Sequence, residues 1–264
     1  MFQNLLVYPS IRGIDIDDPR TTRLRRRIVR KKSFLRQIYE EWYASIAAVL
    51  PDSQGSVLEL GSGPGFLKDF IPELIASDIF FCSGIDLVMD GKALPMADRT
   101  LRCIAMTDVL HHLCRPRLFF AEAVRCLQPG GVVVMIEPWF TPWSRLVYTK
   151  LHHEPFHPKA GAWEFPCKGP LSGANAALPW IIFERDRVQF EHEFPELKIR
   201  FIEPCMPFRY LLSGGVSMRS LMPGCAFDLW RRIENCLYPW MKTWAMFARI
   251  ILVRTDTLYR LSDK

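Results

Sequence analysis

An apolar strand that ends in an acid and runs straight into alternating glycines constrains this chain more than any other feature. Residues Val57-Leu58-Glu59-Leu60-Gly61-Ser62-Gly63-Pro64-Gly65-Phe66 form that run. Glycine at every second position permits a tight bend and lets the main chain approach a ligand without side-chain obstruction. Phe66, Leu67, Phe70, Ile71 and Leu74 follow at helical spacing, so a helix is expected to open at the bend and offer free N–H groups to a carboxylate. A strand, a bare bend and a helix make a nucleotide-binding element. Two variants of that element are excluded. The dinucleotide loop G-x-G-x-x-G needs glycine where Phe66 stands, and the phosphate loop needs G-K-[ST], which is absent.

Short apolar runs follow at Ile75 to Asp78, Gly84 to Asp90, Cys103 to Asp108 and Gly131 to Glu137, with a helical stripe at Phe120, Val124 and Leu127 before the last. Strands alternating with helices imply a parallel sheet. Val132-Val133-Val134-Met135-Ile136 shows no polar alternation and is expected to be buried on both faces. Upstream, Asp18-Pro19 starts a helical stripe through Leu24, Ile28, Leu35, Ile38, Trp42, Ile46 and Val49, with a break near Ser33. Residues 139–196 are rich in Pro, Gly, Trp and His and lack a clean period, which suggests an insertion folded over the site. Leu197 to Ile202 and Ala248 to Arg254 read as strands, with a helix near Phe227 to Leu237 between them.

Beyond the glycine run, three further blocks occur in order: Ala93-Leu94-Pro95-Met96-Ala97-Asp98, Asp108-Val109-Leu110-His111-His112-Leu113 and Arg125-Cys126-Leu127-Gln128-Pro129-Gly130-Gly131. With Glu59, Gly61, Gly63 and Gly65, they resemble the class I S-adenosylmethionine-dependent methyltransferases of the type 11 group over roughly residues 55–138. The resemblance implies an α/β fold: a doubly wound, mostly parallel, seven-stranded Rossmann-like sheet whose last strand is antiparallel. On that reading one domain spans 1–264, with an N-terminal helical cap (1–50), a cofactor-binding core (51–138), a lid insertion after the fifth strand (139–196) and a C-terminal part that completes the sheet (197–264).

The resemblance also implies S-adenosyl-L-methionine as cofactor, held by Glu59, Gly61, Ser62, Gly63, Gly65, Asp78, Asp90, Gly91 and Asp108. Asp108, His111 and His112 become candidates for the methyl-transfer site. One feature departs from the family pattern: the span from Gly65 to Leu94 is too short for the usual helix between the second and third strands. An acid at the end of strand two should accept from the ribose hydroxyls, and one four residues before the Leu-Pro pair from the adenine amine. Asp90 takes the second role by spacing. Asp78 is preferred to Asp86 for the first, because a second strand ending at Asp86 would leave no chain for a third. Tyr39, Trp42 or Tyr43 are expected near the pocket.

The formal charge of +6 is uneven. Residues 1–36 carry ten Lys or Arg against three Asp, whereas the other 228 residues carry 24 basic and 25 acidic groups. The amphipathic segment Arg23 to Lys32 is either a solvated helix face or a weak contact for an anionic membrane surface. The near-neutral body argues against nucleic acid. No apolar run has the ~18 residues of a membrane span, so the expected location is cytoplasmic or membrane-peripheral. Eight cysteines without a C-x-x-C spacing suggest free buried thiols. His152-His153-Glu154, with His157 nearby, lacks a helix-borne H-E-x-x-H, so no metal is assigned. Trp139, Trp143, Phe156, Trp163, Phe165 and Trp180 either line an acceptor site or form the insertion's own core. The first option, with the basic helix, points to a small or lipid-like organic acceptor. Residues 169–178 and 209–215 are further candidates for acceptor contact. The alternative to an enzyme is a cofactor-binding regulatory or partner subunit without turnover.

Overall fold

The computed structural model describes residues 8–9, 13–15, 17–151, 154–167, 169 and 171–256. Seven strands form one sheet in the order β3-β2-β1-β4-β5-β7-β6: β1 Ser56–Leu60, β2 Ile75–Asp78, β3 Leu87–Val88, β4 Leu101–Thr107, β5 Leu127–Pro138, β6 Leu197–Cys205 and β7 Phe247–Arg254. Strands β1 to β5 pair in parallel, and β7 runs antiparallel to both β5 and β6. The chain leaves β1 in one direction for β2 and β3, and β4 returns to the other side. That reversal opens a crevice beyond the carboxyl ends of β1 and β4, where doubly wound sheets bind ligands. The uninterrupted apolar run of β5 is buried throughout Val132 to Ile136.

Helix α1 (Pro19–Lys31) starts where Asp18 accepts from the Arg20 N–H at 2.8 Å, with proline in the first turn. Lys32 adopts an extended conformation and breaks the stripe, after which α2 (Ser33–Ala47) continues. The apolar face of α2 (Phe34, Leu35, Ile38, Trp42, Tyr43 and Ile46) is buried in the main core. Each such side chain contributes about 1.5–3 kcal/mol by leaving water, so α2 is anchored and α1 rides on it over the crevice.

The helix expected after the glycine bend is a single 3-10 turn, Leu67–Asp69. Its apolar residues do face inward, Leu67, Ile71 and Leu74 being buried. The reason is local: Pro72 disfavours the helical region for Ile71, and β2 begins at Ile75. No helix N-terminus therefore faces the crevice here. Between β4 and β5 the expected helix forms as α3 (Pro116–Cys126).

The insertion carries α4 (Pro142–Lys150), which opens with a reciprocal cap between Thr141 and Ser144, then the turns Leu178–Trp180 and Ile181–Arg185, and α5 (Arg187–Glu193). After β6 come α6 (Arg209–Ser213) and α7 (Phe227–Cys236). Two buried cations fix this C-terminal wall. Arg209 joins Glu234 at 2.5 Å and Glu41 of α2 at 2.7 Å. Lys32 donates to the carbonyls of Gly215 at 2.6 Å and Met218 at 2.9 Å. Its removal from water pushes the ammonium down to about 7.

The cysteine expectation needs correction. Cys114 and Cys167 are joined as a disulfide, which ties the segment after β4 to the insertion. Cys103 and Cys126 are free and buried as expected, whereas Cys225 and Cys236 are exposed. Among the described residues no helix is long and apolar enough to cross a membrane.

Candidate functional site

The crevice is a cavity of about 340 Å³ walled by β-strand ends, α1, α4, the residues Cys167, Gly169 and Leu171, and the segment 210–218. Such a volume lies within the range of small-molecule and cofactor sites. Its floor is the glycine bend. Gly61 and Gly63 both adopt left-handed backbone, φ 66° and 38°. A Cβ on Gly61 would lie 2.5 Å from Val109, so no larger residue fits there. The Gly63 N–H donates to Asp78 Oδ2 at 2.8 Å, and the Phe80 N–H donates to Asp78 Oδ1 at 2.9 Å. Burial raises the Asp78 carboxyl above its ordinary range, and these N–H groups pull the other way. Asp90 accepts from the Lys92 N–H at 3.0 Å and pairs with its ammonium at 3.0 Å. Gly61, Gly63, Pro64, Asp78, Asp90 and Gly91 all line the cavity.

Beside the bend, where Val109 meets Gly61, β4 turns through Asp108, whose φ of 63° is unusual for a side-chain-bearing residue. Its carboxyl is pushed up to about 7 by burial; His111 opposes the shift, and Glu137 and Glu154 add to it. The turn Leu110–His112 presents two histidines with ring centroids 4.2 Å apart. Glu137, at the end of β5, accepts from the N–H groups of Val109 at 2.8 Å and Leu110 at 2.7 Å. Its other oxygen lies 2.8 Å from His111 Nδ1. Glu154 of the insertion approaches His111 Nε2 at 3.3 Å and His112 Nε2 at 3.8 Å. Burial works against charge on His111, yet hydrogen bonds to Glu137 and Glu154 carry it well above the ordinary imidazole range. Burial, with the neighbouring His111, pushes His112 down to about 3, so that ring is neutral.

A family model described as a methyltransferase domain matches residues 76–135. Sheet order, the glycine bend after β1 and this match agree on one assignment. The chain has an α/β methyltransferase fold, and the stretch 76–135 matches a methyltransferase domain. The fold is also that of geranyl diphosphate C-methyltransferase from Streptomyces coelicolor A3(2), a structure in complex with Mg2+, geranyl diphosphate and S-adenosyl-L-homocysteine. The likeness has a TM-score of 0.52 at 10% identity and covers 95% of this chain and 89% of that one. A SAM-dependent methyltransferase from Thermotoga maritima matches with a TM-score of 0.51 at 13% identity, over 82% of this chain and 89% of that one. No curated protein matches the sequence.

Not every residue expected at the cofactor site reaches the cavity. Glu59, Ser62 and Gly65 lie behind the bend rather than in its wall. Glu59 accepts from the Ser62 hydroxyl at 2.7 Å, and burial pushes its carboxyl up to about 7. A Cβ on Gly65 would collide with the Tyr43 hydroxyl, so that glycine makes room for α2 and not for a ligand. Asp86 pairs with Lys68 at 2.7 Å and accepts from the Ala76 N–H at 2.8 Å. It stands outside the cavity. Asp108 and His112 line it; His111 is 1% exposed, behind them. Of the three aromatic candidates on α2, Tyr39 lines the wall.

The aromatic residues of the insertion need correction as acceptor contacts. None of Trp139, Trp143, Phe156, Trp163, Phe165 and Trp180 lines the cavity. They pack in or against the core, so they lend no support to a flat acceptor. Both loops expected near the acceptor do contribute, through Gly169 and Leu171 and through Tyr210, Leu211, Gly214 and Gly215. His152 and His153 lie outside the described residues, and His157 is exposed.

Sequence reasoning missed Arg25. It belongs to the basic stripe, yet it turns into the cavity, and its Nε is buried without a hydrogen-bond partner. Lys32 of the same stripe is buried, and Arg26 donates to the Ser83 carbonyl. The solvent-facing cations of the segment are thus Arg23, Arg27, Arg30 and Lys31. Thr107 is a second missed residue: its hydroxyl is buried without a partner, and the residue lines the cavity.

Proposed function

We propose that this protein transfers a methyl group from S-adenosylmethionine to a small organic acceptor with a substantial apolar body. The observation that carries this reading is one cavity lined by two chemically different sets of residues. The glycine bend, Asp78 and Asp90 line it together with Asp108, His112 and Glu154. The bend exposes main chain for the cofactor's amino-acid tail. Asp78, already anchored by two N–H groups, keeps lone pairs for ribose hydroxyls. Asp90 is suited to the adenine amine. The orphan Nε of Arg25 supplies a cation for the tail's carboxylate. Glu59 and Ser62 act one step back, holding the bend in shape.

When bound, the cofactor supplies an electrophilic methyl group. The chain's own task is alignment, which is worth about 7–11 kcal/mol when two reactants are held in attack geometry. Leu113, Val147, Leu151, Leu171, Val216 and Met246 give the wall its apolar character and exclude water from the acceptor. Asp108, with its carboxyl pushed up to about 7, is poised to take a proton from an acceptor that must lose one. Exposed Arg23, Arg27, Arg30 and Lys31 form a contact for an anionic membrane surface, from which a lipid-like acceptor would be drawn.

Calorimetry with S-adenosylhomocysteine tests the core of this reading. Asp78→Ala should weaken binding by about 10- to 100-fold, as loss of charge-assisted hydrogen bonds does, and Asp86→Ala should leave it unchanged. No binding heat from folded wild-type protein, or weakening by Asp86→Ala alone, would overturn it.

A further inference from the structure

We propose that His111, His112 and Glu154 form a binding site for a divalent transition-metal ion, open to the cavity. The argument is a count of hydrogens. Glu137 is committed as an acceptor, since one oxygen takes two main-chain N–H groups and the other faces His111 Nδ1 at 2.8 Å. Nδ1 of His111 therefore carries hydrogen, and its Nε2 is left to face Glu154 Oε2 at 3.3 Å. His112 Nδ1 faces the Gly173 carbonyl at 3.4 Å, which can only accept. His112 Nε2 is thereby a bare lone pair, and it faces Glu154 Oε1 at 3.8 Å. Both Nε2 atoms are thus directed at one carboxylate, where a metal ion can replace the proton that His111 shares with Glu154.

A proton answers this poorly. Placed on His111 Nε2, it makes a hydrogen bond longer than the ~2.7–2.9 Å of a charge-assisted pair, and at 3.8 Å the second histidine remains without one. A metal ion answers it well. Ligand atoms about 2.1 Å from a tetrahedral metal stand about 3.4 Å from one another, and the three groups here offer atoms that all lie within 4.8 Å. Small side-chain rotations close the rest. Two histidines and one carboxylate with a vacant position form a ligand set for catalytic metals. Glu137 holding the far nitrogen of His111 is the partner that metal-bound histidines usually have. Imidazoles select a borderline ion such as Zn2+ over Mg2+.

Because His112, Glu154 and Asp108 line the cavity, the fourth position faces the ligand space. It would take an oxygen or nitrogen donor of the acceptor, or water. The metal would also bridge the turn after β4 and the insertion, since its ligands come from both.

The test needs no cofactor, so it stands apart from the methyl-transfer reading. Full-length protein is stripped with chelator, and Zn2+, Co2+ and Mg2+ are titrated separately by calorimetry, with Co2+ also followed by its visible absorption. One Zn2+ or Co2+ per chain should bind, the cobalt spectrum should show a low-coordinate nitrogen–oxygen site, and Mg2+ should bind far more weakly. His112→Ala and Glu154→Gln should each abolish this binding while circular dichroism shows retained fold. Glu137→Gln should weaken it by about 10- to 100-fold, and a double His152→Ala, His153→Ala variant should keep it. The proposal fails if stoichiometric binding is absent, if it survives His112→Ala and Glu154→Gln, or if Mg2+ binds as tightly as Zn2+. Heat from S-adenosylhomocysteine in the stripped protein, measured alongside, reports on the cofactor site separately.

Discussion

Replacing Arg25 with alanine should cripple recognition of one part of the cofactor and spare the rest. The guanidinium enters the cavity beside Asp108 and His112, and its buried Nε makes no hydrogen bond within the protein. Its Nε loses no hydrogen-bond partner on substitution, so that part of the cost falls on the ligand. A hydrogen bond to a charged group is worth about 1.5–3 kcal/mol, or roughly a 10- to 150-fold rise in Kd. Calorimetry with two ligands isolates it. S-adenosylhomocysteine carries the amino-acid tail, and 5′-methylthioadenosine keeps only the nucleoside end. Arg25→Ala should weaken the first by the stated factor and leave the second within about twofold, and Arg25→Lys should recover part of the loss. Equal weakening of both ligands, or of neither, would show that this cation does not hold the carboxylate.

Two further outcomes follow from burial and charge. Glu59 has its carboxyl at about 7 in the fold against 4.5 for the ordinary group, so the native state holds the extra proton between those values. Its contribution is full below pH 4.5, falls as pH rises through 7, and beyond that costs at most about 3 kcal/mol. Glu59→Gln, which can still accept from Ser62, should therefore flatten the loss of Tm between pH 5 and 8; parallel profiles for the two proteins would refute this. On the surface, reversing Arg23, Arg27, Arg30 and Lys31 to Glu should abolish co-sedimentation with phosphatidylserine vesicles, and added salt should do the same to the wild type. Wild-type binding indifferent to salt would contradict it.

The strands were legible because a doubly buried parallel sheet leaves unbroken apolar runs, and Val132 to Ile136 is one. The choice of Asp78 over Asp86 as the end of the second strand rested on chain length alone, and β2 does end at Asp78. The helix after the bend was misread because its apolar spacing is real while its length is not: inward residues at 67, 71 and 74 serve a coil as well as a helix. Arg25 was hidden for a different reason. A stripe of cations looks uniform in sequence, and only the docking of α1 decides which member meets solvent and which meets the cavity. The aromatic residues of the insertion carried no directional signal at all, since tryptophan and phenylalanine suit a small core as well as a ligand wall. The Cys114–Cys167 pair is separated by 53 residues and joins two segments that only tertiary structure brings together.

That crosslink assigns the moving parts. With the Cα atoms of Cys114 and Cys167 held 5.5 Å apart by covalent bonds, the insertion cannot swing away from the sheet as a door would. The 214–218 segment is tied differently, by hydrogen bonds alone: Lys32 donates to Gly215 and Met218, and the Tyr8 N–H donates to the Ser217 carbonyl. One wall of the enclosure is thus riveted by a covalent bond, and another is held by Lys32 and its neighbours through bonds that water can replace.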